Sequence, residues 1–198
     1  MNLGFLASHN GSNMQAVIDA CKSGKIAANP VVVISNNKES KALQRAVVEG
    51  IAAYHINVKT EGSEDHADIA ICSMLEKHAV DLVVLAGYMK KIGKAILERF
   101  SDKIINIHPA LLPKHGGQGM YGNFVHQAVL TAGEKESGAT IHLVNEEYDR
   151  GRILAQARVP VETNDTVETL AKRVLSAEHE LYVDTISKIA SGDLKLSR

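Results

Sequence analysis

The sequence predicts an α/β protein: a single-domain, Rossmann-like, doubly wound and mostly parallel sheet with an antiparallel C-terminal strand pair and a long C-terminal helix. Three observations carry this. In the first half, short apolar runs rich in Val, Ile and Leu alternate with segments of helical periodicity, the pattern of strands covered on both faces. After Ile107 the rhythm changes to a loop with two prolines and four glycines (109–122), followed by two further strand-like runs around a polar turn. Finally, 198 residues with 45% hydrophobic and 23% charged side chains suit one globular domain. A chain of this size buries about 70% of its unfolded surface and needs no metal or disulfide to fold.

The elements follow in order. Residues 3–8 read as a buried strand and 12–22 as a helix. A β-branched strand covers 30–35, and a helix over 41–49 is closed by Gly50 as its C′ residue. A short strand at 52–55 leads to a helix at 64–78, whose apolar positions are Ala67, Ile71, Met74 and Leu75. Strand 81–86 ends at Gly87, helix 92–100 follows, and 103–107 is the fifth strand. Beyond the loop, 123–131 is helical, and 139–144 and 152–159 form an antiparallel pair at the sheet edge. The terminal helix spans 166–190, with Asp165 expected at its N-cap and Glu168 completing a capping box.

Composition excludes several functions. Lys plus Arg is 22 and Asp plus Glu is 23, so the net charge of −1 draws the chain toward neither nucleic acid nor an anionic membrane. Aromatics are 4% with no Trp, too few for a base-stacking platform. Cys21 and Cys72 lie in apolar helical patterns and read as small buried hydrophobes. No stretch approaches the roughly 18 apolar residues of a membrane span, and the N-terminus lacks the features of a signal peptide. The expected location is the cytoplasm.

Two segments carry chemistry. Ser8-His9-Asn10-Gly11-Ser12-Asn13 lies where the first strand hands over to the first helix, a place suited to a phosphate. The same residues could simply cap the helix, and the segment alone leaves both open. Neither GxGxxG nor GxxxxGK[ST] stands at this strand-to-helix turn, so a phosphomonoester is favoured over a dinucleotide or a nucleoside triphosphate. In Asn106-Ile107-His108-Pro109, two residues of one strand face point the same way, and Pro109 ends the strand. An amide and an imidazole aimed beyond a strand end suit a carbonyl oxygen gaining negative charge. Asp149, in the turn between the two late strands, reads alone as turn chemistry. The nine histidines form no metal-binding pattern.

Taken together, these segments resemble the folate-dependent formyltransferase superfamily, and within it the phosphoribosylglycinamide formyltransferases of purine synthesis. The resemblance rests on Ser8–Asn13, Leu85-Ala86-Gly87-Tyr88-Met89, Asn106-Ile107-His108-Pro109 with Leu111-Leu112-Pro113, Gly138-Ala139-Thr140-Ile141-His142, Asp149-Arg150-Gly151 and Glu178-His179. It implies a catalytic triad of Asn106, His108 and Asp149. The first two would stabilise a tetrahedral oxyanion, with His108 acting best as imidazolium and Asp149 raising its pKa. It implies that Gly11, Ser12 and Asn13 bind phosphate, that Glu178 binds ribose hydroxyls, and that Tyr88, Met89, Lys90, Lys91 and Ile92 line the folate pocket.

By this resemblance the co-substrate is 10-formyltetrahydrofolate and the acceptor glycinamide ribonucleotide, with no metal. The partners are small molecules, not nucleic acid or membrane, and the chain acts as a monomer or homodimer. Residues 1–100 form a phosphate-binding half and 101–198 a catalytic and folate-binding half. A hydrolase that passes the formyl group to water, a formyltransferase acting on another phosphorylated or nucleotide-linked amine, and a non-catalytic phosphosugar-binding module are the alternatives. Between Pro113 and Ala128 the chain is longer and richer in glycine than many relatives, so no role is carried onto His115 or His126. The glycines there suggest a lid that orders on folate binding.

Overall fold

The computed structural model describes residues 1–197. Its strands are β1 (Asn2–Leu6), β2 (Asn29–Ser35), β3 (Ala52–His55), β4 (Leu82–Leu85), β5 (Ile104–His108), β6 (Glu136–Leu143) and β7 (Ile153–Pro160). Its helices are α1 (Ser12–Lys22), α2 (Lys41–Val48), α3 (Val58–Glu61), α4 (Glu64–Lys77), α5 (Lys94–Arg99), α6 (Asn123–Thr131) and α7 (Val167–Ser191). The strands form one seven-stranded sheet in the order β3-β2-β1-β4-β5-β6-β7. Pairing is parallel from β3 to β5 and antiparallel where β6 and β7 are added. The expected architecture is the one observed.

Alternate residues along the inner strands serve opposite faces, which is why those strands read as unbroken apolar runs. Leu3, Phe5, Val33 and Val84 pack with Met14, Val17 and Ile18 of α1 and with Tyr182 and Ile186 of α7. Leu6, Val32, Ile34 and Val83 pack on the other side with Ile71 and Leu75 of α4 and with Ile96 of α5. The strand order reverses between β1 and β4. Open α/β sheets bind ligands beyond the carboxyl ends of their strands at such a reversal. The loops leaving β1, β4 and β5 all emerge there.

Three details differ from the sequence reading. Asp165 does not cap the terminal helix. Thr166 does, in a capping box with Thr169 rather than Glu168. The reason is competition: Asp165 is held by Arg173 at 2.7 and 2.9 Å and by the N–H of Glu162, so the helix starts one residue later. A short helix, α3, follows Asn57, which caps it in a box with Thr60. β6 begins at Glu136, three residues before its expected start, because Glu136, Ser137 and Gly138 already pair with β7. Gly50 closes α2 with φ of 70°, as expected.

Candidate active site

Asn106 and His108 are one period apart at the end of β5. Asn106 lies between Leu85 of β4 and His142 of β6, and His108 is opposite Thr140. The Nδ1 of His142 donates to the Leu143 carbonyl at 2.9 Å, which leaves its Nε2 to accept from the Asn106 amide at 3.1 Å. His142 thereby orients Asn106. The Nε2 of His108 donates to the His115 carbonyl at 2.8 Å, so Nδ1 is the ring nitrogen left for other work. Nδ1 stands 3.5 Å from Oδ2 of Asp149. The same oxygen accepts from the Gly117 N–H at 2.9 Å, while Oδ1 lies 3.4 Å from Nε2 of His142.

The charge states follow from burial as much as from neighbours. Burial pushes the His108 imidazole down, and although Asp149 and the His115 carbonyl oppose this, the net shift is downward. Asp149 acts in the expected direction, but desolvation of a residue only 3% exposed outweighs it, which corrects the expectation of a ring held charged. Burial pushes the Asp149 carboxyl up, yet His142 and His108 in their protonated forms, together with the Gly117 N–H, hold it below the usual range. At rest, therefore, His108 is neutral and Asp149 is ionised.

Thr140 anchors the loop after β5. Its hydroxyl donates to the Ala110 carbonyl at 2.6 Å and accepts from Leu112 N–H at 3.0 Å and from Gln156 at 2.9 Å. Gln156 also donates to the Leu112 carbonyl at 3.0 Å.

On the opposite wall, Gly11 sits at the N-cap of α1 with φ of 68°, and no side chain caps the helix. A β-carbon there would lie 2.9 Å from that of Ala42, so only glycine fits. Ser8 ties this loop to the next one, accepting from the Met89 N–H at 2.8 Å and donating to Asn36 at 2.5 Å. Asn13 donates to Glu178 at 3.3 Å. Glu178 is 7% exposed, and burial pushes its carboxyl up to about 7. One turn further along α7, the buried Tyr182 hydroxyl donates to the carbonyls of Leu85 and Ile105, which fixes α7 beneath the strand ends.

These walls enclose a cavity of about 540 Å³ lined by Asn13, Tyr88, Met89, Lys90, Asn106, His108, Asp149 and Glu178, among others. Gly11 and Ser12 lie outside its lining, as do Lys91 and Ile92. Lys91 and Ile92 instead line, with Tyr88 and Lys90, adjoining recesses of about 190 and 70 Å³. Burial pushes the Tyr88 phenol up to about 12, so it stays protonated. Lys91 lies over the Tyr148 ring at 6.0 Å, linking this segment to the Asp149 loop.

The sequence reading missed His142, the His115 carbonyl, the Gly117 N–H and His126. His126 lines the cavity, and its Nδ1 has no hydrogen-bond partner among the described residues. A signal for His142 was present: Thr140 and His142 are two apart, like Asn106 and His108. Among the described residues no group of three or more His, Cys, Asp or Glu is placed to hold a metal, and no helix is long and apolar enough to cross a membrane. Burial pushes the Cys21 thiol up to about 11 and raises that of Cys72, so both are poor nucleophiles.

A parallel sheet that closes with an antiparallel pair and sets an amide, an imidazole and a carboxylate around one strand end defines an α/β protein equipped for acid–base and oxyanion chemistry at a topological switch point. Residues 1–186 match the family described as formyl transferase. The chain belongs to that family, and within it to the phosphoribosylglycinamide formyltransferases. It is 37% identical over 99% of its length to phosphoribosylglycinamide formyltransferase of Escherichia coli (strain K12), covering 90% of that protein. It is 43% identical over 98% of its length to the chloroplastic phosphoribosylglycinamide formyltransferase of Arabidopsis thaliana, of which it spans 66%, just under two thirds. The crystal structure of glycinamide ribonucleotide transformylase 1 from Symbiobacterium toebii superposes with a TM-score of 0.91 at 38% identity, covering 97% of this chain and 88% of that one.

Proposed function

We propose that the protein transfers the formyl group of 10-formyltetrahydrofolate to the primary amine of glycinamide ribonucleotide, a step of purine synthesis. The observation that carries this is the convergence on one cavity of Asn106, His108 and Asp149 with the buried acceptor Glu178. A hydrolase needs the first three residues and has no use for the fourth.

In this reading the acceptor amine attacks the formyl carbon. The Asn106 amide, held by His142, donates to the oxygen that becomes negative. His108 assists from Nδ1, because its Nε2–H is committed to His115. The resting neutral ring has no proton on Nδ1, so it donates to the oxyanion only as imidazolium, which takes its proton from solvent before the amine attacks. Asp149, directly or through one water, takes the proton of the attacking nitrogen and returns it toward N10 of the folate as the carbon–N10 bond breaks. Glu178 accepts from the ribose hydroxyls. Gly11, Ser12 and Asn13 hold the phosphate, the uncapped first turn of α1 supporting this over a capping role. Tyr88, Met89, Lys90, Lys91 and Ile92 enclose the folate.

Residues 1–100 supply the phosphate-binding half and 101–198 the catalytic and folate-binding half, with 88–92 reaching across. The acting species is a monomer or homodimer working in the cytoplasm. The plant relative's name places that protein in the chloroplast.

The test is release of deformylated folate from a 10-formyl folate, followed spectrophotometrically with and without glycinamide ribonucleotide. The expected result is release only in its presence. Equal release without it would make the protein a hydrolase, and none in either case would move the weight to another amine or to a binding protein.

A further inference from the structure

Behind the loop that carries the His115 carbonyl lies a separate cleft of about 450 Å³, open to solvent, between residues 111–115 and 133–137. Glu134 sits in it. Its carboxylate accepts from Lys114 Nζ at 2.9 and 3.1 Å and lies 3.4 Å from Nε2 of His115. Lys114 is largely exposed, and an ion pair of that kind adds little stability. The His115 side chain is 15% exposed, so one carboxylate holds both a surface lysine and a half-buried neighbour of the catalytic loop.

What it holds is a strained turn. His115 has φ of 54°, a left-handed conformation that a residue with a β-carbon keeps only when its surroundings enforce it. Its carbonyl accepts from Nε2 of His108 at 2.8 Å, and two residues on, the Gly117 N–H donates to Asp149 Oδ2 at 2.9 Å. Gly116, between them, fits too closely for a side chain: a β-carbon would meet Leu112 Cδ2 at 2.4 Å and Asp149 Cβ at 3.2 Å. Residues 115–117 are therefore a strap across both members of the His108–Asp149 pair. The strap decides which ring nitrogen of His108 is free.

We propose that Glu134 is a positioning residue for formyl transfer: gripping Lys114 and His115 from the outer cleft, it holds the 115–117 strap in register with His108 and Asp149. The catalytic meaning rests on the function proposed above, whereas the geometric claim does not. The groups facing His108 are Asp149, His142, His115 and His126. Loss of Glu134 loosens the His115 carbonyl, which favours the charged ring, and with it the Gly117 N–H that holds Asp149.

The experiment uses full-length protein with ¹⁵N-labelled histidine and reads the His108 ring by NMR across pH, then steady-state kinetics. Glu134→Ala is expected to lower the His108 titration midpoint by about half a unit, roughly threefold in proton affinity. It should also cut kcat roughly tenfold with KM for the amine within about twofold. Glu134→Gln, which keeps an acceptor, should recover most of both. In a His115→Gly background the turn is no longer strained, and the effect of Glu134→Ala should shrink to less than about a third. An unchanged titration and kcat in Glu134→Ala would overturn the proposal, as would an effect of equal size in the His115→Gly background. A shifted titration in a protein that turns over no formyl folate would leave the strap standing and remove its catalytic meaning.

Discussion

The two walls of the cavity place their functional groups by different means. On the ribonucleotide wall, Asn13 and Glu178 stand on α1 and α7, helices of 11 and 25 residues. Their backbones are relaxed, and the cost is electrostatic: a carboxyl buried where charge is disfavoured. On the catalytic wall, His108 at a strand end meets Asp149 on a loop, and both Asp149 and His115 have positive φ, 56° and 54°. There the cost is conformational. The comparison teaches that damage to the first wall should appear in KM and in the pH dependence of stability, and damage to the second in kcat.

The largest expected effect breaks the catalytic wall alone. Asp149→Asn keeps the volume, and Asn tolerates the left-handed backbone well. It removes the proton acceptor, so kcat should fall on the order of 10³-fold. The KM for ribonucleotide should stay within about threefold. A large rise in KM would show that the two walls are not separable.

Glu178→Gln tests the other wall, and the sign is informative. The folded carboxyl titrates at about 7 against an ordinary value of 4.5, so between those values the folded state binds more protons than the unfolded one. The stability contributed by the neutral carboxyl is thus present at low pH and lost as pH rises from 4.5 through about 7. The penalty above pH 7 is about 3 kcal/mol, as an order of magnitude. The Gln variant should therefore unfold at higher temperature than the parent at pH 8, with little difference at pH 4.5. Its KM for ribonucleotide should rise about 10- to 100-fold, because a charged acceptor for the diol is gone. A variant no more stable at pH 8 would mean that Glu178 is not held at the expense of folding.

The same contrast explains what the sequence revealed. Strands buried on both faces announce themselves as apolar runs, and Asn106 with His108 is legible because period two and Pro109 are local facts. Asp149 became legible only through resemblance, since nothing in a polar turn says that it meets a strand end some 40 residues earlier. The role of His142 depends on the antiparallel register that sets it opposite Asn106. That of His115 belongs to a backbone carbonyl, which no residue type signals. The charge of His108 was misjudged because its partner could be read and its burial could not. Asp165 lost the cap of α7 to Thr166 through a partner, Arg173, eight residues away.

The smallest expected effect on activity sharpens the comparison from within the catalytic wall. Thr140 is fully buried, and its one hydroxyl serves the Ala110 carbonyl, the Leu112 N–H and Gln156. Thr140→Val preserves shape and leaves those groups without their partner. Each buried group left unpaired costs about 1–3 kcal/mol, so the variant should be destabilised by about 2–4 kcal/mol. The loop it anchors leads into the 115–117 strap, but Glu134 and Gly117 hold that strap by bonds that do not involve Thr140. The kcat of the folded variant should therefore fall by only about three- to fivefold, with the KM for ribonucleotide unchanged. A loss as large as that of Asp149→Asn would show that the strap takes its register from Thr140, and that the catalytic wall is positioned from inside the sheet rather than from the outer cleft.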